Sequence, residues 1–148
     1  MGDLLIRKCE YKDLEEVLKL QESWENENIT YGFVSADKIY LQNKLGEYFY
    51  IAEIDGKVVG FIYGTVHESK NMSIFHEGEQ YIEVDDIYVS QGTRDLNIGS
   101  ELIDKLLEVA KKDGIERSLI YSSTKDIDSI IKFYKKHDYK TWYIQMYK

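Results

Sequence analysis

Two hydrophobic periods divide the chain. Leu4 to Lys8 alternates apolar and polar positions, the period of a half-exposed strand. From Tyr11 the spacing lengthens. Leu14, Val17, Leu18 and Gln21 fall on one helical face, with Glu15, Glu16, Lys19 and Glu22 opposite. This helix is expected to end between Trp24 and Asn28, with residues 26–34 as a loop. Ser35 suits the cap of a second helix, Ala36 to Leu45, which turns Ile39 and Leu45 inward and stops at Gly46. The strand period returns over Tyr48 to Ile54. Asp55-Gly56 is then a hairpin dipeptide leading back through Lys57 to His67. A polar loop, Asn71 to Gly78, precedes Gln80 to Val89, a run rich in β-branched and aromatic residues.

The most regular helical stripe follows: Ile98, Leu102, Ile103, Leu106, Leu107 and Ala110, with Glu101/Lys105 and Glu108/Lys112 as supporting pairs and Gly114 as the stop. Arg117 to Tyr121 reads as a short buried strand. Ser123-Thr-Lys-Asp126 has the form of a capping box, opening a helix that places Ile127, Ile130, Ile131 and Tyr134 on one face. Tyr139 to Tyr147 is expected as a final strand. The order β-α-α-β-β-β-α-β-α-β has hairpins first and a βαβ crossover later. It predicts an α/β fold with a mixed, largely antiparallel sheet and helices on both faces. No linker or repeat breaks residues 1–148, so one domain is expected.

Composition narrows the class. With 148 residues, 43% of them hydrophobic, the chain can bury a core and is not of the disordered type. No apolar run approaches the roughly 20 residues of a membrane span, and the first residues lack the pattern of a signal peptide. A single cysteine, Cys9, rules out an internal disulfide, and without a Cys/His cluster no metal is expected. The expectation is a soluble cytoplasmic protein without a membrane partner. A net charge of −8 speaks against nucleic acid as a partner. The charge is uneven: residues 68–86 hold six acids against one lysine, while residues 125–148 hold six lysines against three acids. An acidic surface beside a site would favour a cationic acceptor such as an amine; a merely solvated face is the alternative.

Between the strand ending at Val89 and the helix opening near Ile98 lies Ser-Gln-Gly-Thr-Arg-Asp-Leu-Asn. A loop before a helix N-terminus presents unpaired N–H groups and the positive end of the helix dipole, which suits phosphate. An ordinary strand-to-helix turn would look similar. In its context the segment is more specific. Val89-Ser-x-x-x-Arg94-x-x-x-Ile98-Gly99 before a Leu-rich helix resembles the acetyl-CoA-binding motif of the GNAT N-acetyltransferase superfamily. The family loop reads Arg/Gln-x-x-Gly-x-Gly/Ala, and Arg94, Asn97 and Gly99 fall on those positions. Phe133-Tyr134 matches the family's Phe-Tyr pair, and the element order matches over essentially the whole chain. The chain departs from the pattern at Asn97, which replaces the central glycine, and at Asp95, a position also often glycine. His137-Asp138 stands for the usual Leu-Gly, and Ile127 for a family asparagine.

The resemblance implies the GNAT acyl-CoA N-acyltransferase fold, acetyl-CoA as co-substrate, and direct attack of an amine on the thioester. By the same resemblance, backbone groups of Arg94, Asp95, Leu96, Asn97, Ile98, Gly99 and Ser100 hold the pyrophosphate. Ile87, Tyr88 and Val89 splay from the neighbouring strand to pair with pantetheine. Glu83, eleven residues before Arg94, lies where several members carry a catalytic glutamate, and Tyr134 where the general acid often lies. Trp24, Tyr31 and Phe33 occupy a variable segment that commonly walls the acceptor pocket.

Read from the residues alone, strand alternation puts Glu83, Asp85 and Ile87 on one face and Val84, Asp86 and Tyr88 on the other. Glu83 or Asp85 is thus a candidate base or amine ligand, and a solvated strand start is the competing reading. Tyr134 is equally placed to be a core tyrosine, and the aromatics at 24, 31 and 33 to pack a loop. Three functions remain open at this point: acetylation of a small cationic amine, acetylation of a peptide N-terminus or lysine, and a non-catalytic module of the same fold. An edge strand at Tyr139–Tyr147 would be compatible with a homodimer.

Overall fold

The sheet is built outward from one hairpin. Asp55 and Gly56 both take positive φ, 53° and 77°, as the tight turn between β2 (Phe49–Ile54) and β3 (Lys57–Glu68) requires. In the computed structural model, which describes residues 2–148, β1 (Leu4–Lys8) pairs antiparallel with β2, and β4 (Gln80–Val89) antiparallel with β3. β5 (Arg117–Leu119) joins β4 in parallel through the crossover helix α3 (Ile98–Lys112). The order is β1-β2-β3-β4-β5. One face carries α1 (Leu14–Glu27) and α2 (Lys38–Lys44), which bury Leu14, Val17, Leu41, Phe49, Phe61 and Tyr63. The other carries α3 and α4 (Ile127–Lys135), over Ile62, Ile82, Val84, Leu102 and Leu106. This is the expected mixed α/β architecture with helices on both faces. Among the described residues no helix is long and apolar enough to cross a membrane.

Several elements differ from their expected form. α2 begins at Lys38 and not at Ala36, because the Asp37 carboxylate, rather than Ser35, caps it by accepting from the Tyr40 amide at 2.8 Å. Its inward residue is Leu41, while Ile39 is 72% exposed. Asp126 caps α4, accepting from the Ser129 amide, and leaves Ile127 exposed at the first turn. β5 is shorter than Arg117–Tyr121 and lies at the sheet edge, not buried. The strand expected at Tyr139–Tyr147 does not form: its β-prone residues are there, but they have no ladder partner.

The difference that matters most is a β-bulge. Tyr63 pairs with Asp86, yet the next residue, Gly64, pairs with Val84, so Asp85 is extra. The bulge inverts the alternation. Ile82 and Val84 point beneath α3, and beyond the bulge so do Ile87 and Val89. Asp86 and Tyr88 point instead toward α1 and α2, where Asp85 also meets Lys44. The expected split holds for Ile87 against Asp86 and Tyr88, but is wrong for Asp85, which shares their face, and for Val84, which joins Ile87, because strict period-two counting has no place for an inserted residue. Gly64 permits the close approach: a Cβ there would lie 2.6 Å from the Glu83 carbonyl oxygen.

Candidate active site

The β4–β5 ladder is brief. It joins Tyr81, Ile82 and Glu83 to Arg117, Ser118 and Leu119, and beyond Glu83 the strands part. The parting opens a cleft of about 640 Å³ between Asp85–Val89 on one side and Ile120–Thr124 on the other. The segment after α1 crosses its mouth. The Tyr31 amide donates to the Ser123 carbonyl and the Lys125 amide to that of Ile29, each at 2.9 Å. This bridge roofs the opening. Trp24, in the last two turns of α1, forms one wall, stacked at 4.0 Å on Phe33 and 5.2 Å on Tyr88. Its indole N–H donates to Thr30 Oγ1 at 3.0 Å, which ties the wall to the roof. Trp24, Tyr31, Phe33, Asp85, Ile87, Tyr88, Val89, Arg94 and Tyr134, all singled out from sequence, meet on this one cleft.

Period-two counting separates Asp86 from Asp85, yet both face α2, and Asp86 is the carboxylate most altered by its surroundings. It lines the cleft, and the buried Tyr63 hydroxyl donates to it. Burial pushes its carboxyl up to about 6, against the opposing pull of the Tyr63 hydrogen bond. Asp85 is tied down differently: its Oδ2 accepts from Lys44 Nζ at 2.9 Å and from Thr65 Oγ1 at 2.6 Å. Glu83 does not line the cleft; it faces His67 at 3.6 Å, and its carboxyl is raised by burial and by Asp85. Tyr40 and Tyr121, unremarked in the sequence, flank the acids. The negative field of Glu83 raises the Tyr121 phenol. Tyr134 is buried on α4 with its side chain on the cleft, and burial keeps the phenol protonated far above neutrality.

At the far end of β4 the loop turns into α3. Asp95 and Asn97 both adopt positive φ, 67° and 65°. Asn97 therefore takes the conformation its glycine counterpart would, at a cost an asparagine tolerates. The first α3 amide to close back is Glu101, on the Asn97 carbonyl at 3.1 Å, which leaves those of Ile98, Gly99 and Ser100 ahead of it as donors. α4 packs over Gly99, where a Cβ would come into ordinary contact with the Phe133 ring at 3.4 Å. Arg94 turns away from the loop. Both its terminal nitrogens grip the Glu27 carboxylate of α1 at 2.7 Å, and its Nε donates to the Val89 carbonyl at 3.1 Å. Tyr88 adds its hydroxyl to the same carboxylate. His137, just past α4, braces α3, with Nε2 3.1 Å from Ser100 Oγ and Nδ1 3.0 Å from Asp104. Among the described residues no group of three or more His, Cys, Asp or Glu side chains is arranged to hold a metal. Cys9 is buried, its thiol pushed up to about 12 by desolvation, which makes it a packing residue.

The chain is similar to known proteins in sequence and fold. The model of the acetyltransferase (GNAT) family matches residues 11–139. An uncharacterized N-acetyltransferase of Methanocaldococcus jannaschii is 31% identical over 88 residues, covering 60% of this chain; the match spans only 37% of that relative. An aminoglycoside acetyltransferase from an uncultured soil metagenomic sample superposes with a TM-score of 0.73 at 21% identity, over 98% of this chain and 95% of the other. A predicted acetyltransferase of Clostridium acetobutylicum, solved with acetyl-CoA, gives 0.73 at 17% identity over 98% and 96%. Glucosamine-6-phosphate N-acetyltransferase of Arabidopsis thaliana gives 0.72 at 17% over 99% and 98%. With its splayed strands, its left-handed loop before α3 and a family match over most of its length, the chain belongs to the acetyltransferase (GNAT) family.

Proposed function

We propose that the chain transfers an acetyl group from acetyl-CoA to a primary amine of a small cationic acceptor, with Asp86 as general base. The observation that carries this reading is a buried carboxyl at about 6, in a cleft between splayed strands. The residues present fit acetyl-CoA. Asp95 to Ser100 offer amides at a helix N-terminus for pyrophosphate, and the β4 edge from Ile87 to Val89 lacks a ladder partner on the cleft side. When bound, acetyl-CoA supplies an activated acyl carbonyl with a thiolate leaving group.

The chain's own residues then handle the protons. A primary ammonium has a pKa near 10 and must lose a proton before it attacks. Asp86, ionised above about pH 6, accepts that proton directly or through water. Tyr134, held protonated by burial, is placed to donate to the departing thiolate. Ionised Asp86 and the rings of Tyr40, Trp24 and Tyr121 favour a cation over a neutral acceptor. The bridge from residues 29–31 to 123–125 narrows the mouth, which favours a small acceptor over a folded polypeptide. Relatives of this fold named for aminoglycosides and for glucosamine-6-phosphate support the same class.

The test is thiol release from acetyl-CoA with a panel of polyamines, aminoglycosides, amino sugars and peptide amines. Turnover is expected with a small cationic amine, with kcat/KM falling about tenfold per pH unit below about pH 6 as Asp86 gains its proton. A rate independent of pH down to pH 5 would remove Asp86 from the mechanism, and turnover with peptide amines alone would overturn the acceptor class.

The loop has a test of its own. Asn97→Val should weaken coenzyme A binding at least about tenfold, since a β-branched residue resists φ near 65°, whereas Asn97→Gly should bind as well as the parent or better. Calorimetric titration reads both. Equal affinity for the valine variant would show that the loop conformation does not matter to the ligand.

A further inference from the structure

Gln21 is a polar residue on the apolar face of α1, and it is fully buried. An amide in such a place is costly unless both of its ends are bonded. Here its Oε1 accepts from the Ala36 amide at 3.0 Å, and its Nε2 donates to Tyr63 Oη at 3.4 Å. A backbone amide can only donate, so the Ala36 contact fixes which end of the Gln21 side chain faces Tyr63. The Tyr63 oxygen thus receives a hydrogen bond from Gln21, and its own proton is directed to Asp86 Oδ2. The ring between them is fully buried, tilted against Phe49 at 5.0 Å and stacked on Phe61 at 5.9 Å. The chain of bonds begins and ends on the cleft, since Ala36 and Asp86 both line it.

We infer that Tyr63 and Gln21 are positioning residues for the reaction: together they hold Asp86 by Oδ2 and leave Oδ1 to meet the acceptor. The inference rests on Asp86 as the base proposed above, and adds what keeps that base in place. The direction of the chain decides its effect. With an N–H of Gln21 pointing at its oxygen, the phenol serves Asp86 as a donor, and a donor favours the ionised carboxylate over the protonated acid. Without it, a buried carboxyl would keep its proton at a pH where the acceptor needs a base. The other groups facing Asp86 do not replace it. Lys44 and Tyr40 stand on α2, Asp85 on its own strand, Tyr121 beyond β5 and Tyr134 on α4. Lys44 favours the charge and Asp85 opposes it, and these two are bonded to each other at 2.9 Å. Among the described residues Tyr63 alone hydrogen-bonds the Asp86 carboxylate.

Carboxyl-carbon NMR of the ligand-free protein reads the Asp86 titration midpoint without any need of turnover. Tyr63→Phe keeps the ring and removes only the hydroxyl, and it should raise that midpoint by about one pH unit. In the thiol-release assay kcat/KM should then fall about fivefold at pH 6 yet stay within about threefold of the parent at pH 9, a split that a general loss of packing would not produce. Gln21→Met keeps the volume and removes the donor to Tyr63. It should raise the midpoint by less, and the double variant should titrate where Tyr63→Phe does, because Gln21 acts through Tyr63. An unmoved midpoint in either single variant, or rises that add in the double one, would overturn the positioning role and leave Asp86 free to be the base. A midpoint that moves while the kcat/KM limb stays put would instead remove Asp86 as the base, and the positioning role would fall with it.

Discussion

Asp86→Asn is expected to lower kcat/KM by about 100- to 10,000-fold and, in the same molecule, to raise stability. Both effects come from one fact. The carboxyl sits at about 6 in the fold, because burial penalises its charge, against an ordinary value of 3.8. A group whose folded pKa lies above its unfolded one gives stability at low pH that is lost as pH rises through the folded value. Between 3.8 and about 6 the folded state therefore loses roughly 3 kcal/mol, and at neutral pH it carries that whole burden. Asparagine removes the charge, keeps an oxygen to accept from the Tyr63 hydroxyl, and leaves the volume nearly unchanged. After the cost of burying an amide, a gain of about 1–2 kcal/mol is expected. Urea unfolding at pH 7.5 and at pH 5 separates the causes, since the advantage of the variant should shrink at the lower pH. A variant less stable at both pH values would mean that the carboxylate is not strained, and the argument for its role as base would fail with it.

Gly64→Ala is expected to be the most damaging small substitution in the sheet. The new methyl would sit 2.6 Å from the Glu83 carbonyl oxygen, a backbone atom that cannot swing aside, and 3.2 Å from Ile82 Cγ1. Relief requires β3 and β4 to separate at the bulge, with a loss of about 2–3 kcal/mol. The functional effect should be local to the acids. The bulge sets which way Asp85 and Asp86 point, so turnover should fall steeply. Coenzyme A affinity should stay within about threefold, because the Arg94–Ser100 loop proposed to hold it lies beyond the far end of β4. Calorimetry and the thiol-release assay on one preparation measure the split. Equal losses in both would tie the bulge to the whole cleft and not to the carboxylates alone.

That bulge also explains what the sequence left hidden. The helical stripes, the Asp55-Gly56 turn and the βαβ crossover are written in local periods and in residues suited to single conformations, and they appear where expected. The shared face of Asp85 and Asp86 is hidden because a bulge adds one residue without altering composition, and its only trace is a small residue, Gly64, on the opposite strand. Tyr40, Tyr63, Lys44 and Tyr121 went unnoticed for a related reason. Tyr40 and Tyr121 reach the cleft, and Tyr63 and Lys44 reach its carboxylates, from elements distant in sequence, and ordinary core or surface residues look the same. The tail failed in the other direction: Tyr139–Tyr147 has strand propensity, but a strand exists only with a partner, and propensity cannot supply one. Within the loop from Arg94 to Ser100, Asn97 is legible because asparagine favours the left-handed conformation it adopts, whereas the same conformation at Asp95 is not signalled.

Arg94 is the one basic residue between Ser90 and Asn97, and Glu27 already neutralises it. The loop therefore offers an anion hydrogen-bonding dipoles but little net positive charge, within a protein at −8. Ionic strength should act on such a site in the opposite sense to a lysine- or arginine-built phosphate site. Moderate salt screens the repulsion between an acidic protein and a polyanionic ligand, while the short-range amide contacts persist. The ion pair between α1 and the loop before α3 thus leaves any anion there to be recognised by backbone shape rather than by net positive charge.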